Sequence, residues 1–190
     1  MTIHTDHMLD AKGLACPMPI VKTKKAMNDL EPGQVIEVQA TDKGSLADIQ
    51  AWAKSSGHQY LGTTEEADVL KHYLRKASES EIKEDKDYPH AIKNDELQEK
   101  LDAGEKVTVL DVREPAEYSF GHIPGAKSIP LGELENRADE LDKESEVYVV
   151  CRTGNRSDLA SKQLAEKGFK SVKNVVQGMV EWSGSVEKSQ

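Results

Sequence analysis

The sequence predicts an α/β protein in two parts. A two-layer sandwich of two helices on a four-stranded sheet comes first, followed by a mostly parallel sheet covered by helices on both faces. Three observations lead there. Residues up to 75 carry two helical apolar patterns among four strand-like runs. Beyond residue 88, strand and helix patterns alternate, which is how parallel sheets with helices on both faces are built. Between them lies Lys76-Ala77-Ser78-Glu79-Ser80-Glu81-Ile82-Lys83-Glu84-Asp85-Lys86-Asp87, where charge and serine crowd out apolar residues and no periodicity survives. That is linker chemistry, giving parts at 1–75 and 88–187 joined by 76–87.

The first part opens with a strand over 8–11 and a helix over 17–30, whose apolar face is Ile20, Met27 and Leu30. Glu31-Pro32-Gly33 stops that helix. A strand follows over 34–41. Ser45, with Asp48 three residues on, resembles a capping box with the shorter acid, so a helix is expected over 45–56, its face formed by Leu46, Ile49 and Ala53. Strands over 59–64 and 68–74 close the sheet. The second part reads as helix 95–103, strand 107–112, short helix 115–120, strand 127–129, helix 132–141, strand 146–150, helix 156–167, strand 172–176 and a last turn through Trp182.

The chain has two cysteines, and each sits where a helix is about to begin. Cys16 stands in Gly13-Leu14-Ala15-Cys16-Pro17-Met18-Pro19. Proline suits the first helical position because its missing N–H costs nothing there. Pro17 therefore places Cys16 at a helix entrance, where unpaired N–H groups and the positive end of the dipole favour an anion. With Lys12 before it and Lys22, Lys24 and Lys25 after it, the thiol is expected to ionise more easily than a free cysteine. A structural cysteine is the competing reading, against which the flanking prolines and lysines count. The three lysines on the helix equally suit an ordinary solvated face.

Cys151 ends the β-prone run Glu146-Val147-Tyr148-Val149-Val150 and leads into Arg152-Thr153-Gly154-Asn155-Arg156-Ser157. Gly154 and Asn155 can take the positive φ that curls successive N–H groups toward one point, and Arg152 and Arg156 add cationic donors. Four residues separate Cys151 from Arg156, one fewer than phosphate-binding loops of this general kind use. The shorter loop suits a terminal sulfur better than a phosphate and demotes a phosphatase. Sites in open parallel sheets lie beyond the carboxyl ends of the strands, which is where Cys151 falls. Asp111 and Arg113 end a neighbouring strand and support the same rim, with Arg113 expected to pair with a carboxylate.

Composition narrows the class. A net charge of −9 argues against nonspecific nucleic-acid binding. No apolar run approaches the roughly 20 residues a membrane helix needs. The opening Met1-Thr2-Ile3-His4-Thr5-Asp6-His7 lacks the apolar core of a signal peptide, so the cytoplasm is the expected compartment and any Cys16–Cys151 bond is expected to be transient. His4, His7, His58, His72, His90 and His122 show no zinc spacing with the cysteines, so no metal is assigned. His122, in a Gly-His-Ile-Pro turn, is read as structural.

The motifs carry a resemblance that covers nearly the whole chain. Residues 7–75 resemble a TusA-like (SirA-like) sulfur carrier, through Leu9-Asp10-Ala11-Lys12-Gly13-Leu14-Ala15-Cys16-Pro17-Met18-Pro19, Ala40-Thr41-Asp42 and Trp52-Ala53-Lys54-Ser55-Ser56-Gly57-His58. Residues 88–187 resemble a single-domain rhodanese, through Asp111-Val112-Arg113-Glu114, Gly121-His122-Ile123-Pro124-Gly125-Ala126 and the Cys151 loop. The resemblance implies a sulfurtransferase without a cofactor. Cys151 would take a sulfane sulfur from thiosulfate or a low-molecular-weight persulfide, held by Arg152, Thr153, Gly154, Asn155 and Arg156. Cys16, or another thiol acceptor such as a downstream protein, would receive it. A flexible linker of roughly 15 residues reaches on the order of 20 Å, so transfer within one chain is feasible, and transfer between subunits of a homo-oligomer fits equally. The competing classes are a docking module whose second part stores sulfur, and a redox sensor using reversible Cys16–Cys151 oxidation.

Overall fold

The computed structural model describes residues 3–77 and 87–189. Contacts divide the chain into two compact units, Met1–Ser78 and Glu79–Gln190. Most of the expected linker, residues 78–86, lies outside the described residues.

In the first unit, β1 (His7–Asp10), α1 (Met18–Asn28), β2 (Val35–Ala40), α2 (Ser45–Ser56), β3 (Gln59–Glu66) and β4 (Val69–Arg75) form a mixed sheet of order β1-β2-β4-β3 under two helices. β1 runs parallel to β2, while β4 is antiparallel to both β2 and β3. Alternation along β2 sends Ile36 and Val38 to the helix side, where they meet Met27 of α1, Ile49 and Ala53 of α2 and Leu74 of β4. Register pairs Ile36 with Leu74 and Val38 with His72, so His72 also faces the helices. This is the sandwich that the sequence predicts.

Two details differ. Leu46, expected in the core, is exposed, and the buried face of α2 is Ser45, Ile49 and Ala53. The capping box does not form either: Ser45 already lies inside the helix behind Gly44, and its hydroxyl turns inward to bond His72 Nε2 at 3.0 Å. A polar residue therefore occupies the apolar stripe at the helix entrance because a buried imidazole waits beneath it.

The second unit contains β5 (Ala91–Ile92), α3 (Asn94–Asp102), β6 (Thr108–Asp111), α4 (Pro115–Phe120), β7 (Lys127–Ser128), α5 (Leu134–Arg137), β8 (Glu146–Val150), α6 (Asn155–Glu166) and β9 (Ser171–Val175). Its sheet, of order β5-β9-β8-β6-β7, is parallel throughout. Successive residues of β8 serve opposite cores. Val147, Val149 and Cys151 pack with Leu134 and Ala138 on one face and with Ala160 and Leu164 of α6, whereas Tyr148 and Val150 pack with Leu97 of α3 on the other. Burial on both faces explains why this strand reads as an unbroken apolar run.

Again two elements differ. The two-residue strand β5 carries too little pattern to be seen in the sequence. The expected helix over 132–141 is one short α-helix between two 3-10 turns, Leu131–Glu133 and Ala138–Glu140. Leu134, Ala138 and Leu141 keep a helical spacing and are all buried, so the periodicity is real although the backbone hydrogen bonding changes along it. Among the described residues no helix is long and apolar enough to cross a membrane.

Candidate functional site

Cys16 lies on the surface, on the turn that joins β1 to α1. Gly13, with φ of 76°, makes the turn, and its N–H donates to Thr41 Oγ1 at 2.9 Å. Pro17 forms the N-cap of α1 and Pro19 is in its first turn; the Cys16–Pro17 peptide is cis. The opposite wall comes from the β2–α2 loop and the first turn of α2. Asp42 accepts the Cys16 backbone N–H at 3.0 Å and the Gly44 N–H at 3.0 Å. Asp48 accepts the Cys16 S–H at 2.7 Å.

These carboxylates reverse the expected electrostatics. The hydrogen bond to Asp48 pushes the Cys16 thiol above its ordinary pKa, and the charges of Asp48 and Asp42 push the same way. The helix entrance does not compensate, because the N–H groups of Met18, Ile20 and Val21 already donate to the carbonyls of Ala15 and Pro17. Lys22, Lys24 and Lys25 are exposed on α1, while Lys12 sits 3.8 Å from Asp10. The thiol therefore ionises less easily than a free cysteine, the reverse of what the neighbouring prolines and lysines suggested.

Cys151 is the opposite case, fully buried at the carboxyl end of β8. The loop after it turns on Gly154, whose φ of 93° also caps α6. The Gly154 N–H donates to Cys151 Sγ at 3.1 Å. Cys151 in turn donates to Ser157 Oγ at 3.3 Å, and Ser157 donates to Asn174 Oδ1 at 2.5 Å. Asn174, buried on β9, returns to the loop by donating to the Gly154 carbonyl at 3.1 Å. Beneath, the carbonyls of Cys151 and Arg152 accept the N–H groups of Met179 and Val180 at 2.8 and 3.0 Å. Gly178 makes this approach possible: a Cβ there would meet the Cys151 carbonyl oxygen at 2.7 Å and the Arg152 oxygen closer still.

Two of the cations around the loop, Arg156 and Arg113, are anchored by carboxylates. Arg156 bonds Glu117 of α4 through Nη1 and Nη2 at 2.8 and 3.1 Å, and the Glu117 side chain is wholly buried. Arg113 bonds Asp111 at 2.7 Å and the Gly121 carbonyl at 2.7 Å, the carboxylate pairing that the sequence suggested for it. Arg152, Thr153 and Asn155 are half-buried on the loop itself. His122 stacks on Tyr118 with ring centroids 3.7 Å apart and bonds the Tyr118 carbonyl at 2.8 Å, a packing role.

Two family models cover the two units. Residues 7–76 match the model described as sulfurtransferase TusA, and residues 93–185 match the rhodanese-like domain. YrkF of Bacillus subtilis (strain 168), named as a candidate sulfur carrier protein, is 52% identical over 180 residues, which span 95% of this chain and 97% of that one. This chain belongs to the same family, a TusA domain joined to a rhodanese domain. The TusA domain is also 45% identical over 73 residues to the sulfur carrier protein TusA of Allochromatium vinosum, covering 38% of this chain and 95% of that one. The rhodanese domain resembles the crystal structure of a rhodanese-like domain protein from Staphylococcus aureus, with 32% identity and a TM-score of 0.50 over 53% of this chain and 99% of that one. The protein is thus a member of the sulfur carrier and sulfurtransferase families.

Several residues now joined to the cysteines were not singled out for chemistry by the sequence. In the TusA domain, Asp42 belongs to a recognised motif without an assigned role, and Asp48 reads as a helix cap. In the rhodanese domain, Glu117, Asn174 and Gly178 come from elements distant in sequence, and no local spacing links them to Cys151.

Proposed function

We propose that this protein is a sulfurtransferase in which Cys151 of a rhodanese domain, residues 88–187, accepts a sulfane sulfur and passes it to Cys16 of a carrier domain, residues 1–75, or to another thiol. Residues 76–87 serve as the linker. The observation that carries the reading is the Cys151 loop, where a sulfur at a strand end receives a backbone N–H from Gly154 within a cradle fixed by Asn174 and Gly178. The donor is thiosulfate or a low-molecular-weight persulfide. Cys151 attacks the donor's outer sulfur as its proton passes to the leaving group; the old S–S bond breaks, and the electron pair leaves with that group, sulfite or a thiol. Backbone N–H groups of the loop stabilise the charged terminal sulfur as an oxyanion hole stabilises oxygen, with Arg152 at its edge. Exposed Cys16 then takes the outer sulfur, and the pair returns to Cys151.

Intact-protein mass spectrometry after brief exposure to thiosulfate, and separately to glutathione persulfide, tests this. Wild type should gain the mass of one sulfur on each cysteine. Loss of the Cys16 adduct in Cys151→Ser supports the relay. Independent loading of Cys16 overturns an obligatory relay, and no loading on either cysteine overturns the reading as a whole.

A further inference from the structure

Asp48 is placed unusually for a carboxylate beside a reactive sulfur. It lies in the first turn of α2, a twelve-residue helix. Its Oδ2 is 2.7 Å from the Cys16 sulfur, and Asp42 fixes the Cys16 backbone beside it at 3.0 Å. The cysteine is thereby steered onto a negative group from the facing element while the lysines of its own helix stand out in solvent.

We infer that Asp48 is a positioning residue that biases Cys16 toward giving sulfur up: it stabilises the empty thiol through the S–H bond and repels the persulfide anion once sulfur is loaded. This rests on Cys16 acting as the carrier thiol. In loading, the Cys16 sulfur bonds the outer sulfur of a donor persulfide, the donor's S–S bond breaks with its pair on the donor sulfur, and the Cys16 proton passes to that leaving thiolate. The sulfane sulfur keeps its oxidation state, so no oxidant is required. The product places an anionic outer sulfur one bond beyond an atom already in contact with a carboxylate. Like charges at that range disfavour the ionised form. Reversal, with the sulfur moving to an acceptor thiol, restores the S–H bond to Asp48. The acidic pair therefore acts on the sulfur equilibrium as well as on the empty thiol.

The test uses the full chain with Cys151 intact, so that a relay through it can operate, and reads Cys16 on its own proteolytic peptide in the wild type and in Asp48→Asn, Asp48→Ala and Asp42→Asn. Circular dichroism confirms that each variant folds. First, the pH midpoint of iodoacetamide alkylation at Cys16 is measured. Second, the ratio of persulfidated to empty Cys16 is read by peptide mass across fixed ratios of glutathione persulfide to glutathione. Both Asp48 variants should lower the midpoint and raise the loaded ratio roughly three- to ten-fold at neutral pH, with a smaller change for Asp42→Asn. An unchanged midpoint and unchanged loading in both Asp48 variants would overturn the inference. If the midpoint falls but Cys16 takes no sulfur in any protein, the carrier reading fails and the inference about sulfur release falls with it, while the thiol-tuning role of Asp48 stands.

Discussion

Glu117 on α4 grips Arg156 on α6 through two parallel hydrogen bonds of 2.8 and 3.1 Å. The Arg156 side chain is 11% exposed and that of Glu117 is wholly buried, so neither charge has enough water to stand alone. Removing one partner strands the other, which in buried pairs costs about 3–5 kcal/mol, whereas removing both is often close to neutral. Arg156→Ala should therefore destabilise the rhodanese domain by roughly 3 kcal/mol. Adding Glu117→Gln should recover part of that loss. A double-mutant cycle in urea checks it, and simple additivity of the two losses would show that the pair is not coupled.

Gly178 predicts a loop defect that reaches the site from behind. Its φ of 71° disfavours a side chain, and a Cβ would press on the carbonyls of Cys151 and Arg152. Gly178→Ala should destabilise the domain by about 1–3 kcal/mol and reduce sulfur loading of Cys151 more than ten-fold. The comparison is Gly168→Ala. Gly168 also has a positive φ, of 91°, but its Cβ would meet nothing within 4 Å, so that variant should lose stability while keeping its loading rate.

The contrast between the cysteines shows what a sequence can carry. The Cys151 loop was legible because its determinants are local: a strand, a glycine able to take positive φ, and a helix follow one another in a few residues. The environment of Cys16 was misread because its decisive charges are not local. Lysines close in sequence suggested an activated thiolate, but they lie on the solvent side of α1, whereas Asp42 and Asp48 arrive 26 and 32 residues later. Asp48 even offered a plausible local alternative as a helix cap. The core strands and most helices were legible from periodicity, while β5 was too short to leave one and Leu46 lost its expected place to Ser45.

Ser157 should matter for the rate of sulfur uptake more than for folding. Its hydroxyl donates to Asn174 and leaves a lone pair that accepts the Cys151 S–H hydrogen bond, which orients the sulfur. Ser157→Ala removes both bonds and leaves Asn174 Oδ1 without that donor, a loss of about 1–2 kcal/mol in stability. Loading of Cys151 from glutathione persulfide should slow by roughly ten- to a hundred-fold, a size common when a nucleophile loses its orientation. Stopped-flow quench followed by intact mass measures it. An unchanged rate would show that Ser157 does not position the sulfur for attack.

His72 makes the TusA domain sensitive to acid. Its ring is fully buried, with Nε2 bonded to Ser45 at 3.0 Å and Nδ1 to Tyr60 and Thr63 at 2.9 and 3.1 Å. Burial disfavours the imidazolium and lowers the pKa from 6.5 to about 4. Between those values the unfolded chain binds a proton that the folded chain refuses. Stability is therefore intact above pH 6.5 and declines as pH falls toward about 4, by on the order of 3 kcal/mol in full. A Trp182→Phe background leaves Trp52 as the remaining tryptophan and lets fluorescence follow this domain in urea. The His72→Gln variant should start less stable at pH 7, because Ser45 and Tyr60 lose their shared partner, but its stability should vary less between pH 6.5 and 4.5. Equal slopes for the two proteins would show that His72 is not the group responsible.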